Sequence, residues 1–578
     1  MLSLLVAFLL LAGCISPKEE PIIIQPPDVI QKNVSEAYRD NDPVYGLTLI
    51  EGAKSRYPSE EWDGQWQQGI SLVTDAFNES MENGDFDAAL RAYRSLHALG
   101  ETSAISDTDE AGLLKQLILS YAFDTNPVLG LTLLEANFSS LHFSHDELEK
   151  LREIAVAENH TSSLAILQKA LGGSAPEQTA LSPEKARTLL KGMATIWVDR
   201  GIKIDQGVGL PDRVIGSGFF IDKRGYMLTN HHVIASEVDP EYEGYSRVYV
   251  RLPDSPKEKL PAKVIGWDTL LDVALLKVEY TPEYVFSIVN TQLGPGQHIY
   301  AIGSPGGLES TITSGIVSAT DRRLLQLGDT TQIDVPINHG NSGGPLIDEY
   351  GNVVGIVFAG IESFEGINFA IPGKWINLII EQLYAGREVV HPWLGVAVYE
   401  RKEGLEVLYV FPDSPAQLSG IKAGDIITEI GDAHFKNIGE YQFSLLHHMS
   451  GELVNVQVTR EGEKQVVLSS LGERPESPFT EAFKKDAKVN CILPLFGFDL
   501  EDAGSTLWEK RYRVTRILTG MAADETGLSV NDPLILQAID VYPDQGVVLL
   551  KLSIRKRKAG FLESSIQLGA MIDGDYFL

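Results

Sequence analysis

The segment Gly340-Asn341-Ser342-Gly343-Gly344-Pro345 constrains this chain more than any other. Glycines on both sides of one serine let the backbone take positive φ and approach a second chain closely. A serine hydroxyl is a poor nucleophile at neutral pH. Such a turn becomes reactive only with a base to take the proton and donors to hold the oxyanion. A candidate base stands in Thr229-Asn230-His231-His232-Val233, which follows the apolar strand Gly218-Phe219-Phe220-Ile221 and the turn Asp222-Lys223-Arg224-Gly225. Leu271-Asp272-Val273-Ala274-Leu275-Leu276 sets one acid in an otherwise apolar strand. Gly-Asn-Ser-Gly alone is also an ordinary hairpin turn. The three words together predict Ser342 as nucleophile, His232 as base and Asp272 as the carboxylate that orients it.

Their order along the chain narrows the fold. Histidine, aspartate, serine is the order of chymotrypsin-type enzymes, whereas subtilisins and α/β-hydrolases use other orders. Residues from about 187 to 470 resemble the HtrA/Deg (DegP-like) serine proteases. The words that carry the resemblance are Gly216-Ser217-Gly218-Phe219, Thr229-Asn230-His231-His232-Val233, Asp272-Val273-Ala274-Leu275, Ala301-Ile302-Gly303-Ser304-Pro305, Thr313 to Ala319, Gly340 to Gly344 and Asn368-Phe369-Ala370-Ile371-Pro372. Trp393-Leu394-Gly395-Val396 then opens what resembles a PDZ domain.

The resemblance implies an all-β double barrel of the chymotrypsin type followed by peptide-binding modules. It implies a serine endopeptidase with an oxyanion hole at the N–H groups of Gly340 and Ser342. His231 stands where the family has asparagine, so His232 is the base. Strand alternation is also expected to turn the two histidines to opposite faces. The substrate pocket is expected from Ile337, Asn338 and Asn368, as a slot for small aliphatic side chains. His339 replaces a common proline and Asn368 a common glycine, which narrows that slot. Trp393, Leu394, Gly395 and Val396 are expected to bind a peptide C-terminus while the peptide adds as a strand. Family members are commonly trimers. No cofactor and no metal are expected, since the chain has neither His-Glu-x-x-His nor a cysteine pair.

With 578 residues, about three to five domains are expected. A formal net charge of −31 argues against a nucleic-acid partner, because phosphates are repelled. The one basic run, Arg555-Lys556-Arg557-Lys558, reads as a solvated strand end. Of two cysteines, Cys14 ends Leu11-Ala12-Gly13-Cys14 behind the apolar run Leu2 to Leu11. This resembles a bacterial lipoprotein signal cut before Cys14, and the run is too short to span a bilayer. No Lys or Arg precedes the run, consistent with a start upstream of Met1. Lipidation at Cys14 implies a periplasm-facing anchor, and Ile15 after it favours the outer membrane. Cys491, in Val489-Asn490-Cys491-Ile492-Leu493, reads as a small core residue on a buried strand.

The expected organisation is a signal peptide at 1–13, a lipid-anchored tether at 14–40, a helical repeat domain at 41–171, and a linker with a short helix at 172–192. A protease domain at 193–390, a PDZ domain at 391–472, a linker at 473–489 and a degenerate PDZ-like copy at 490–578 follow. Asp42-Pro43-Val44-Tyr45-Gly46-Leu47-Thr48-Leu49-Ile50-Glu51 recurs 84 residues on, from Asn126 to Glu135. With Gly84 to Tyr93 between, this predicts a stacked TPR-like solenoid with its own, unidentified protein partner. In the second PDZ-like copy Leu495-Phe496-Gly497-Phe498 resembles the carboxylate loop. Asn531 falls on Gly424 and Pro533 on Ile426, where proline cannot donate to a ladder.

Two functional readings follow. The first is a lipid-anchored envelope endopeptidase that cleaves unfolded proteins and is regulated by their C-termini. The other is a non-catalytic chaperone or adaptor that holds clients on the repeats and PDZ domains. All three of His232, Asp272 and Ser342 favour the first.

Overall fold

The computed structural model describes residues 25–105, 108–174, 179–205, 208–304, 311–337, 340–360, 366–506, 510–557, 561–572 and 574. Cys14, Asn338 and His339 lie outside them, as do the side chains of the basic run at 555–558.

The N-terminal region is helical: α1 Pro27–Arg39, α2 Pro43–Arg56, α3 Asp63–Asn83, α4 Phe86–Leu99, α5 Glu110–Ser120, α6 Pro127–Asn137, α7 His145–Ala157 and α8 Thr161–Ala170. Helix α1 occupies much of the expected tether, because Ile30, Val34, Ala37 and Tyr38 make one apolar stripe that is buried. The duplicated word is a helix start. Asp42 accepts a hydrogen bond from Tyr45 N at 3.0 Å and Asn126 one from Leu129 N at 3.3 Å, each followed by proline at N1.

The helices are divided between two units. The chain divides into two compact units, one of residues up to Asn78, Arg91–Ala104 and from Pro392 on, the other of Glu79–Leu90 and Ile105–His391. In the second, α5 to α8 share a core of Ile118, Leu131, Leu134, Leu151 and Leu167. They are bonded to the β domain there: Arg224 Nη2 donates to Asn126 Oδ1 at 2.6 Å and Thr161 N to Ser287 Oγ at 3.1 Å.

That β domain is two closed barrels. A short helix, α9 Pro183–Leu190, capped by Ser182, leads in. The first barrel runs β1-β2-β3-β6-β5-β4, from β1 Met193–Asp205, β2 Val208–Phe220, β3 Tyr226–Thr229, β4 Arg247–Leu252, β5 Ser255–Asp268 and β6 Val273–Val278. Helix α10, His231–Val238, follows β3. The second runs β10-β11-β12-β9-β8-β7, from β7 His298–Gly303, β8 Thr311–Arg322, β9 Thr330–Ile333, β10 Pro345–Ile347, β11 Val353–Gly360 and β12 Asn368–Pro372. Every strand pair is antiparallel, and the barrels are filled by inward Val, Ile, Leu and Phe. Helix α11, Gly373–Tyr384, closes the domain with Trp375, Ile376, Ile379, Ile380 and Leu383 buried.

In the other unit a six-stranded sheet and a five-stranded sheet follow. The first runs β14-β15-β16-β18-β19, from β14 Val396–Arg401, β15 Gly404–Val410, β16 Ile426–Ile430, β18 Leu453–Arg460 and β19 Glu463–Ser470; two-residue β17 Ala433–His434 pairs with β16, and β13 Pro392–Trp393 with β20 Gly472–Glu473. Helices α12 Pro415–Ser419 and α13 Ile438–Leu445 cover it. Helices α14 Pro478–Lys485 and α15 Ile492–Phe496 lead to the second sheet, β21-β22-β23-β24-β25: β21 Phe498–Asp502, β22 Lys510–Ile517, β23 Pro533–Tyr542, β24 Val547–Arg557 and β25 Phe561–Met571. Cys491 is buried as expected, but in a 3-10 turn, Lys488–Cys491, and not in a strand.

The N-terminal helices of this unit bond to the first sheet. Ser470 N donates to Thr48 Oγ1 and Leu453 N to Ser95 Oγ, both at 3.1 Å, while Arg94 Nη1 donates to His447 O at 2.8 Å. In each unit the helices of the expected stacked solenoid are bonded to β structure of that unit.

Candidate active site

The turn after β9 carries Ser342, the first turn of α10 behind β3 carries His232, and the turn between β5 and β6 carries Asp272. Asp272 Oδ2 lies 2.7 Å from His232 Nδ1, and its Oδ1 accepts the main-chain N–H of His232 at 2.8 Å. Its carbonyl accepts from Asn230 Nδ2 at 2.8 Å and from His231 N at 3.2 Å. Asp272 sits at φ 55°, a conformation uncommon outside glycine, so these four bonds hold a backbone that is otherwise disfavoured. The carboxylate is buried, while the His232 side chain is about half exposed, at 47%.

Both histidines open helix α10, so strand alternation is not what separates them. The rotation of about 100° per helical residue does. Burial is the main cause that holds the His231 imidazole below its ordinary pKa.

Ser342 Oγ donates to Phe358 O at a long 3.4 Å. The turn around it is built on Ser217 of β2. Ser217 N donates to Ser342 O at 2.8 Å, Ser217 Oγ donates to Gly340 O at 2.6 Å, and the same hydroxyl accepts Ser304 N at 2.9 Å. Gly343 has φ 84°, and a Cβ there would stand 2.3 Å from Ser217 O. No larger residue fits. Ser217 enters the sequence only within the word Gly216-Ser217-Gly218-Phe219, where the flanking glycines are the one signal of a close backbone approach.

Of the expected pocket residues, Asn368 is buried and donates from Nδ2 to Val335 O at 2.8 Å. Its side chain therefore braces the segment that leads to Ile337, which packs on the second barrel's core. Among the described residues no cluster of His, Cys, Asp or Glu has the arrangement of a metal site, and no helix is long and apolar enough to cross a membrane.

Leu394 and Val396 belong to the core of the first sheet and Trp393 packs on Phe411, so the loop's side chains are structural and its backbone is what a peptide could reach. Strand β14 is an edge strand, and Ile438 N at the start of α13 donates to Glu400 Oε1 of β14 at 2.9 Å. The second sheet repeats the loop. Phe411 N donates to Gly395 O and Ala416 N to Leu394 O; Leu518 N donates to Gly497 O and Ala523 N to Phe496 O. Asn531, at φ 74°, copies Gly424, at φ 93°, and each N–H reaches the preceding strand at 2.8 Å, on Val514 O and Val407 O. Pro533 is the first residue of β23, as Ile426 is of β16, so it interrupts no ladder. The copy departs elsewhere. Between β23 and β24 stands only the 3-10 turn Pro543–Gln545, where the first domain has α13 between β16 and β18.

The fold and this site define a trypsin-like peptidase domain followed by two PDZ domains. Family models match accordingly: a trypsin-like peptidase domain at residues 216–356, a PDZ domain at 392–468, a TP0546 family PDZ domain at 479–572, and a domain of unknown function at 30–118. Among curated proteins the chain is 38% identical over 282 residues to a probable periplasmic serine endoprotease, DegP-like, of Marinomonas sp. (strain MWYL1), covering 46% of this chain and 58% of that one. It is 30% identical over 303 residues to the protein of the same description from Chlamydia trachomatis serovar D, covering 49% and 59%. The chain thus spans somewhat over half the length of these relatives. A solved HtrA-type protease, AlgW with decapeptide, aligns at 26% identity and TM-score 0.44 over 51% of this chain and 99% of that one.

Proposed function

We propose that this protein is a serine endopeptidase of the bacterial cell envelope that cleaves unfolded proteins. The observation that carries the reading is the pair of hydrogen bonds from His232 to the Asp272 carboxylate, which fixes the imidazole with Nδ1 toward the acid and leaves Nε2 for a serine. In the reaction, rotation of the Ser342 side chain away from Phe358 O brings Oγ to His232 Nε2. The imidazole takes the proton as Oγ attacks the scissile carbonyl, and returns it to the leaving amine. Asp272 stabilises the imidazolium throughout. The N–H groups of Gly340 and Ser342 receive the oxyanion, a role in which one lost donor typically costs about 2.7–4 kcal/mol. Water then attacks the acyl-enzyme by the same route. The pocket near Ile337, Asn338 and Asn368 accepts a small aliphatic side chain.

Peptide C-termini bind the first PDZ domain at Trp393-Leu394-Gly395-Val396. The names of the relatives agree with a periplasmic setting. Within that reading Cys14 is acylated, and the protein is held at the outer membrane and assembles as a trimer. The test is casein cleavage by the wild type and by Ser342→Ala, with melting curves of both. Cleavage by the wild type alone is expected. Equal cleavage by both removes the assignment, and none by either leaves client binding without catalysis.

A further inference from the structure

We propose that His391 is a positioning residue for Asp272, acting through the buried carboxylate of Asp268; this rests on the serine-peptidase reading above. Asp272 ends a tight turn that starts at Asp268, and its φ of 55° has to be held by that turn. Asp268 shapes it from within. Its Oδ1 accepts the N–H groups of Leu270 and Leu271, both at 2.9 Å, and the residue is wholly buried. Its other oxygen, Oδ2, faces His391 Nε2 at 2.9 Å, and His391 is itself only 4% exposed. The contact has hydrogen-bond length, but the ring N–H is not aligned with the oxygen, so neither atom makes a well-directed bond. A buried carboxylate oxygen in that condition is costly, and a small movement of His391 would align it.

The segment that carries His391 is laid along the same turn. Val389 N donates to Trp267 O at 2.8 Å, Glu388 and Trp267 form a parallel bridge, and Thr269 Oγ1 donates to Glu388 Oε1 at 3.3 Å. Residues 388–391 therefore track 267–269, and His391 is the point at which they touch the acid that builds the turn. Along the chain, His391 is followed directly by Pro392, where the first PDZ domain begins. A pull or a relaxation of the chain at that junction changes the His391–Asp268 geometry first, then the turn, then the Asp272–His232 bond. Nothing in the catalytic scheme requires His391; its effect runs entirely through Asp268.

The experiment uses the full chain and a small chromogenic peptide. His391→Leu fills the space without a hydrogen bond, whereas His391→Gln offers an amide N–H to Asp268. His391→Leu is expected to lower kcat about tenfold with KM unchanged, the scale expected of a displaced catalytic group. It should also shift or broaden the low-field proton resonance of the His232–Asp272 bond. His391→Gln should restore both. Should His391→Leu not fold, the exposed pair Glu388→Ala with Thr269→Ala loosens the same segment and carries the same expectation. An active wild type together with unchanged kcat and resonance in these variants, whatever their melting temperatures, overturns the inference alone. A wild type without Ser342-dependent cleavage overturns the peptidase reading, and the inference with it.

Discussion

Asp272 grips His232 at two points, its Oδ1 on the main-chain N–H at 2.8 Å and its Oδ2 beside the ring Nδ1 at 2.7 Å. The first bond fixes where the helix starts; the second fixes which tautomer the ring adopts. Asp272→Asn separates the two roles. Asparagine tolerates positive φ and can keep the main-chain bond through its oxygen, so folding is retained. Its amide N–H cannot accept from Nδ1–H, so the ring takes the wrong tautomer. We expect kcat to fall by about 10⁴ with a melting temperature close to wild type. Peptide hydrolysis within tenfold of wild type would remove Asp272 from the mechanism.

The neighbouring histidines should behave oppositely. His232→Ala should abolish measurable hydrolysis. His231, held below its ordinary pKa mainly by burial, donates its main-chain N–H to the Asp272 carbonyl. His231→Ala should therefore keep most of kcat and show its effect in thermal stability. The reverse pattern in steady-state assays would assign the base to His231.

Ser217 should couple stability to activity. Ser217→Ala removes the donor to Gly340 O and the acceptor for Ser304 N, both buried. An unpaired buried polar group costs about 1–3 kcal/mol. Since Gly340 is a proposed oxyanion donor, the turn's loss of register should also appear as a lower kcat, on the order of 10–100-fold. A variant that loses stability and keeps full kcat would confine Ser217 to packing.

The site was legible where chemistry restricts residue choice. A serine in a glycine turn and a histidine after a strand have few alternative uses, and chain order linked them to Asp272, which stands in the turn just before the apolar strand β6 and not inside a strand as expected. The helical region was less legible because the word repeated 84 residues apart records how two helices start, not what they pack on. Asp42 and Asn126 cap alike, yet α2 bonds to Ser470 of the first PDZ domain and the turn before α6 to Arg224 of the protease domain. Partner surfaces of that kind are set by distant residues. Likewise Pro533 signalled a broken strand only if it lay inside one. Its place at the strand's first residue depends on the turn at Asn531, where asparagine does the work of glycine.

Glu135 on α6 makes stability depend on pH. Burial chiefly raises its pKa to about 7, against lowering by bonds from Ser162 and the Asn290 backbone. A folded-state pKa above the unfolded one means the folded chain holds the extra proton between about pH 4.5 and 7. Stability from this site is full below that window and falls as pH rises through it. The charge's burial then costs on the order of 3 kcal/mol at most. Glu135→Gln keeps the shape without the charge, so its melting temperature should match wild type near pH 4.5 and exceed it above pH 7. A gap that stays constant with pH would show that Glu135 is not buried as a charge.

The two PDZ domains should differ in peptide binding although their carboxylate loops share one hydrogen-bond pattern. A bound peptide adds to an edge strand and needs a wall opposite it for its side chains. The first domain has β14 and α13. In the second, the 3-10 turn Pro543–Gln545 stands in place of that helix, so the edge strand β21 lacks the helical wall of the first domain. Calorimetry of the full chain with a hydrophobic C-terminal peptide should therefore give one site per chain, and two sites would contradict this reading. Binding at that site should also speed hydrolysis of a small substrate too short to engage a PDZ domain. The peptide shifts the equilibrium only by its preference for the active conformation, and tenfold activation needs about 1.4 kcal/mol of such preference. If saturating peptide leaves kcat and KM unchanged, the PDZ domain only concentrates substrate near Ser342. If it raises kcat, the bias has passed through the protease domain's own backbone, since the small substrate cannot report on tethering.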